Sequence, residues 1–192
     1  MIYQSLKKSM FILLCVFVTA GYADENKKRP IYVGIGSGFM QLEDSYSKES
    51  FETIPIMFQI GYRIDKYLAI EARYVHDITV KYDGGNSVSK DDNDFPTTFT
   101  NASIYIKPIY PVDNIELYAL LGYAKTSLSD IKGADRIENS FAWGLGFSYR
   151  IRDDISIFVD YTNVYDDKGF DGRATQQDVS GEIFGVGVSY VF

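Results

Sequence analysis

Seven charged residues of this 192-residue chain stand where chemistry could be done: Arg63, Glu71, Arg73, Lys107, Glu116, Arg150 and Asp160. Each lies in a segment whose apolar residues alternate with small or polar ones, and each falls on the small, polar side. Four are positive and three negative, so as a set they nearly cancel. A charge held away from water must be paired or solvated, because leaving it unpaired costs several kcal/mol. Two chemistries fit the set. One is a pairing network that plugs an interior; the other is a charged gate along a narrow ion path. Arg63, Lys107, Glu116 and Arg150 lie near short connectors, and Glu71, Arg73 and Asp160 lie farther along their segments.

His76 is the single histidine. Histidine beside Ser, Asp or Glu performs general-base and nucleophile-activating work. Here Asp77 and Ile78 follow it, and no serine has the spacing of a hydrolytic pair. The reading is a histidine at the loop end of a strand. Glu43-Asp44, Asp91-Asp92-Asn93-Asp94 and Asp166-Asp167 offer oxygen ligands of the kind Ca²⁺ takes. No glycine stands where a calcium loop needs one, so these are expected in solvated loops, with no metal and no cofactor. Bridging of such acids through divalent ions to lipopolysaccharide phosphates is a softer alternative.

Eight alternating segments position these residues: 31–41, 53–64, 67–76, 98–108, 115–126, 140–151, 155–162 and 181–192. The clearest sets Phe141, Trp143, Leu145, Phe147, Tyr149 and Ile151 against Ser140, Ala142, Gly144, Gly146, Ser148 and Arg150, the period-2 pattern of a strand. The fourth is the weakest. Connectors alternate in length. Short turns fall at Asp65-Lys66, 109–114 and 152–154, and long polar loops at about 42–52, 77–97, 127–139 and 163–178. The predicted fold is all-β: an eight-stranded antiparallel up-and-down barrel.

Face chemistry decides what surrounds that barrel. Nine of the 16 glycines fall on the second face, at positions 34, 36, 38, 61, 122, 144, 146, 185 and 187. A water-facing exterior would carry Lys, Glu and Thr instead, as in a soluble lipocalin-like carrier, whose apolar face lines a ligand cavity. A crowded, strongly curved lumen wants glycine, with a few large residues filling the gaps. Eight strands leave an interior just wide enough for side chains, so a diffusion pore is not expected. Tyr62, Tyr74, Tyr123, Phe141, Tyr149, Tyr161, Tyr190 and Phe192 cluster towards the ends of the apolar face, as interfacial aromatic girdles do. The barrel is therefore read as transmembrane.

The N-terminus reads as a secretory leader: Lys7-Lys8, the apolar run Met10–Thr19, then small residues up to Ala23, where cleavage is expected. The run is shorter than the ~20 residues of a spanning helix. Cys15 lies inside it after Leu14, which does not suit a lipid-attachment signal. Removal of the leader leaves 17 basic and 26 acidic residues and no cysteine, so neither disulfides nor nucleic-acid binding is expected. Residues 24–192 form the single expected domain.

The final strand, Gly181 to Phe192, places Phe184, Val186, Val188, Tyr190 and Phe192 on one face. In this it resembles the outer-membrane β-barrel proteins of Gram-negative bacteria. Glu71-Ala-Arg-Tyr74, Tyr118-Ala-Leu-Leu-Gly-Tyr123 and Trp143-Gly-Leu-Gly-Phe147 are similar to phrases of the small OmpA-like, opacity-type barrels. The resemblance covers nearly the whole mature chain. It implies an outer-membrane location, short periplasmic turns, long extracellular loops, contact with membrane lipids and lipopolysaccharide, and reading of Tyr190 and Phe192 by the barrel-assembly machinery. No peptidoglycan-binding domain is expected after the barrel, a departure from the OmpA-like pattern. Lipid A deacylases of similar strand number are a second resemblance, but their His-x-Ser arrangement is missing at His76. The function expected is a non-enzymatic structural or surface role, with the loops near 77–97 and 163–178 meeting a surface or host ligand. The alternatives are a lipid A-modifying hydrolase, a narrow gated ion path and a soluble carrier.

Overall fold

A computed structural model of the chain describes residues 30–44, 50–83, 96–130, 135–168 and 178–192. The strands are β1 (Ile31–Asp44), β2 (Ser50–Arg63), β3 (Leu68–Asp83), β4 (Pro96–Val112), β5 (Ile115–Asp130), β6 (Asp135–Arg150), β7 (Ile155–Lys168) and β8 (Asp178–Val191). Neighbours in sequence are neighbours in space, every pair is antiparallel, and β8 returns to β1 to close the barrel.

Alternation along each strand sorts side chains to two sides of one wall. Ile35, Phe58, Ile104, Leu121, Phe141, Leu145, Phe147, Phe184 and Val188 are exposed on the outside, where such an apolar surface belongs in lipid rather than water. The inside holds the polar and small residues with a few large rings. Tyr32, Tyr105, Tyr118 and Phe158 are buried there. Glycine makes the room. At Gly61 a Cβ would overlap the Tyr32 ring, and at Gly146 it would come within 2.7 Å of the Tyr118 ring.

The strands are longer than their alternation showed, with 14 to 17 residues each. A membrane needs about 9–11 tilted residues, so the distal ends stand beyond the apolar belt. β4, the weakest in sequence, is the longest at 17 residues. The long connectors shrink to 45–49, 84–95, 131–134 and 169–177. Glu43-Asp44 and Asp166-Asp167 therefore lie on strands β1 and β7, not in loops. His76 is seven residues short of the end of β3 rather than at its loop end. Polar residues extend these strands because distal pairing happens in water, where alternation of apolar residues is not required. Ala23 and the Asp91-Asp92-Asn93-Asp94 cluster lie outside the described residues. The turns on the other end are tight, and the β4–β5 turn places Asp113 at a φ of 53°.

Two ladders stop early. Pairing between β3 and β4 runs from Leu68/Pro108 to His76/Thr100, and between β6 and β7 from Arg150/Ser156 to Trp143/Asn163. The other six ladders reach the distal ends. The far half of the barrel is thus a five-stranded sheet, β7-β8-β1-β2-β3, facing a three-stranded one, β4-β5-β6.

Candidate functional site

The seven charges all point into the lumen, and the register brings them together in two groups. Near the short turns, Glu116 on β5 lies between two arginines. Arg63 on β2 donates to it through both terminal nitrogens, Nη1 to Oε1 at 3.0 Å and Nη2 to Oε2 at 2.6 Å. Arg150 on β6 donates to Oε1 at 3.2 Å, and Ser148 to Oε2 at 3.4 Å.

The second group is deeper. Glu71 on β3 accepts from Arg73 Nε at 2.6 Å, from Lys107 Nζ at 2.7 Å and from the Tyr32 hydroxyl. Arg73 then reaches across to Asp160 on β7, Nη1 to Oδ1 at 3.1 Å and Nη2 to Oδ2 at 2.7 Å. The Tyr118 hydroxyl donates to Asp160 Oδ2 at 2.8 Å, and its ring lies 4.0 Å from Lys107 Nζ. Glu71 and Asp160 are all but inaccessible to solvent. Charge-assisted bonds to several donors per carboxylate are the arrangement that offsets such burial. Lys107, which its position near a connector grouped with Glu116, pairs with Glu71 instead.

Above this level the described lumen is mostly polar and uncharged, Asp77 excepted. Asn101 Nδ2 donates to Thr126 Oγ1 at 2.9 Å, and Ser103 Oγ to Asn101 Oδ1 at 3.1 Å. Leu120, Val75 and Phe99 pack beside them, fully buried. The interior is therefore occupied by its own side chains. A depression of about 460 Å³ lies on the outer wall around Pro108, Tyr110, Leu117, Ala119 and Leu145.

His76 is on the outer wall, paired across β3–β4 with Thr100. Its Nδ1 is 3.9 Å from Asp77 Oδ1, and that oxygen accepts the Phe99 backbone N–H at 2.9 Å. Asp77 is turned to the inside, so it orients no imidazole for catalysis. Among the described residues no group of three His, Cys, Asp or Glu side chains could hold a metal ion.

Reading charges alone missed the tyrosines. Tyr32 and Tyr118 supply hydrogen bonds that the carboxylates need, and both stand at glycine-face positions of their strands. That alternation was the signal that could have found them.

The family model for the outer membrane protein beta-barrel domain matches residues 10–192. This chain belongs to that family. It is a barrel of the Gram-negative outer membrane, with the apolar wall towards lipid and the paired charges inside. Among curated proteins none matches the sequence. Solved structures share the fold. Ail, the attachment invasion locus protein of Yersinia pestis, is 15% identical with a TM-score of 0.56, over 86% of this chain and 100% of Ail. Neisserial surface protein A is 18% identical with a TM-score of 0.56, over 84% of this chain and 97% of its own. The outer membrane protease OmpT from Escherichia coli is 10% identical with a TM-score of 0.50, over 90% of this chain and 100% of its own. At such identities the likeness is one of fold.

Proposed function

We propose that this outer-membrane barrel is a non-enzymatic scaffold with a structural and surface-interaction role, its distal strand ends and connectors being the working surface. One observation carries the reading: the charged groups of the lumen are consumed by one another. Glu71, Glu116 and Asp160 each accept from two or more donors, which supports a structural plug over a catalytic base or an ion path among the described residues. The barrel exterior meets membrane lipid and, on the outer leaflet, lipopolysaccharide. The leader up to Ala23 delivers it, and the strand ending in Tyr190 and Phe192 is what the assembly machinery reads.

Charge favours a cationic partner. Ail has been solved with the heparin analogue sucrose octasulfate, a polyanion. In sequence, the segments 42–52, 77–97 and 163–178 of this chain are instead acidic, with Glu43, Asp44, Asp83, Asp91, Asp92, Asp94, Asp166 and Asp167 outnumbering their basic residues. Liposomes carrying the refolded barrel should be retained on a polylysine surface and not on a heparin surface, and shortening 84–95 to a Gly-Ser linker should reduce retention. Equal retention on heparin would count against the reading. So would stepwise conductance in planar bilayers.

The hydrolase reading is tested at His76. His76→Ala should leave the lipid A of expressing cells unchanged in mass, because among the described residues no hydrogen-bonded catalytic partner meets that imidazole. A mass shift present with the native chain and lost in the variant would reverse this.

A further inference from the structure

We propose that a recess on the outer wall, at the distal border of the apolar belt, is a site for an ammonium group carried on an apolar chain. The recess, about 300 Å³, is lined by Phe39, Gln41, Glu52, Tyr161, Glu182 and Phe184. Register sorts the wall here into two rows across neighbouring strands. Tyr161 on β7, Phe184 on β8 and Phe39 on β1 stand opposite one another. Two residues further towards the distal end, Asn163, Glu182, Gln41 and Glu52 do the same. An aromatic row thus lies directly below a polar one, and the recess spans the step between them.

Glu182 carries the charge of the site. It is exposed on the wall, and its neighbours in both ladders, Asn163 and Gln41, are uncharged amides. Glu52 is different, because Lys81 stands opposite it in the β2–β3 register. The Tyr161 hydroxyl donates to Glu182 and ties the carboxylate to the aromatic row. Asn163 adds an acceptor. The residue is 6% exposed, and among the described residues its buried Oδ1 has no hydrogen-bond partner. Facing residues of an antiparallel pair have Cβ atoms about 4.5–5.5 Å apart, so one donor group with several N–H bonds can serve Asn163 and Glu182 together.

The surroundings select an organic cation. Calcium takes about six to eight oxygen ligands, and among the described residues no three His, Cys, Asp or Glu side chains gather around one point. Aromatic faces instead attract ammonium groups through the ring quadrupole, and a carboxylate adds charge-assisted hydrogen bonds. Phe39 and Phe184 are 71% and 53% exposed, so their rings are open to a chain running along the wall into the belt. A phosphate or sulfate head would be repelled by Glu182. The inference goes beyond the surface-interaction reading, since this site lies on the lipid-facing wall and not on the distal connectors.

Trp143 supplies the readout. It is the single tryptophan, and its ring centroid lies 5.7 Å from that of Tyr161, so a chain-brominated dodecylammonium quenches it on binding. The full chain is refolded in octyl glucoside micelles, which bear no charge, and titrated with that amine. Controls are the same brominated chain ending in a hydroxyl or a sulfate. Saturable quenching by the amine alone is expected, reversed by the unbrominated amine. Glu182→Gln should weaken binding about tenfold, the scale of one charge-assisted interaction. Phe184→Leu should weaken it about threefold, since an aromatic face is lost and the apolar surface kept. Both side chains are exposed, heat-modifiable gel migration reports folding, and the competition in the native chain needs no variant. Competition by phosphatidylethanolamine in mixed micelles would assign the head to a membrane lipid, and competition by butylammonium alone would assign it to a free amine; either supports the site. Equal quenching by the amine and hydroxyl chains would overturn it, as would an amine affinity unchanged in both variants. Displacement by Ca²⁺ with the Phe184→Leu affinity unchanged would make this a metal site and overturn the proposal as well. Retention on polylysine tests the surface-interaction reading separately, so the two can fail apart.

Discussion

Arg73 and Asp160 are 87 positions apart in sequence and form a two-bonded pair across the lumen, at 3.1 and 2.7 Å. Because Arg73 also donates to Glu71, it joins strands β3 and β7 from opposite sides of the wall through one guanidinium. Arg73→Ala leaves two buried carboxylates short of donors. Breaking a buried pair costs about 3–5 kcal/mol, and Lys107, Tyr32 and Tyr118 remain to solvate the carboxylates, so the low end is expected. Urea unfolding of the refolded barrel in micelles measures it. An unchanged midpoint would remove the network from the list of structural elements. A rise in bilayer conductance in the same variant would favour the gated ion path over the plug.

Pro108 breaks a single rung. Ile109 N donates to Tyr67 O on the β3 side, so residue 108 faces β5, where proline has no N–H to give the Ala119 carbonyl. The β4–β5 register accordingly jumps from Ile106/Leu121 to Ile109/Tyr118 without shifting. Pro108→Ala should restore the bond. A net gain of about 0.5–1.5 kcal/mol for a hydrogen bond is set against the proline's restriction of the unfolded chain, about 0.4–1 kcal/mol. Little net change in stability is expected, and the decisive readout is hydrogen exchange. The new amide at 108 should be as protected as its neighbours in β4; rapid exchange there would mean the rung is open for another reason.

The wall was legible from sequence and the mouth was not. Strands such as 140–151 show alternation because every outward position between Phe141 and Tyr149 faces lipid and must be apolar. Past Phe141 the constraint ends, and Asp135–Asn139 continues as strand with residues that look like loop. Lumen residues could be assigned to a face by parity. Which charge meets which could not, because pairing depends on barrel closure and stagger: Arg73 meets Asp160 four strands away, and Lys107 meets Glu71 on the next. The early end of the β6–β7 ladder follows a register irregularity between Asn163 and Tyr165, which a period-2 pattern does not announce.

Connector lengths give a topological prediction. Protease added to intact cells should cut within 45–49, 84–95, 131–134 or 169–177. It should spare the turns at Asp65-Lys66, Asp113-Asn114 and Arg152-Asp153, which the short-turn asymmetry of such barrels places in the periplasm. Mass spectrometry of the released fragments identifies the sites. Cleavage at Asp65-Lys66 in intact cells would invert the orientation.

Phe192 separates an assembly signal from a structural anchor. Its backbone N–H donates to Ile31 O at 3.0 Å, and its ring meets Tyr190 edge-on at 5.1 Å between centroids. Deleting it removes that bond at the β8–β1 closure and one interfacial aromatic, whose full burial would contribute about 1.5–3 kcal/mol. In-vitro refolding into lipid vesicles should therefore slow or weaken modestly and still give a heat-modifiable barrel. Insertion in cells should fall much further, with the chain accumulating in the periplasm, since the proposed leader before Ala23 is a separate address for export. The ratio of the two defects carries the conclusion. A cellular defect well beyond the vesicle defect means that the final aromatic is recognised. Matched defects mean that Phe192 anchors the seam and nothing more, and normal insertion after removal of both Tyr190 and Phe192 would take the assembly signal away from this strand altogether.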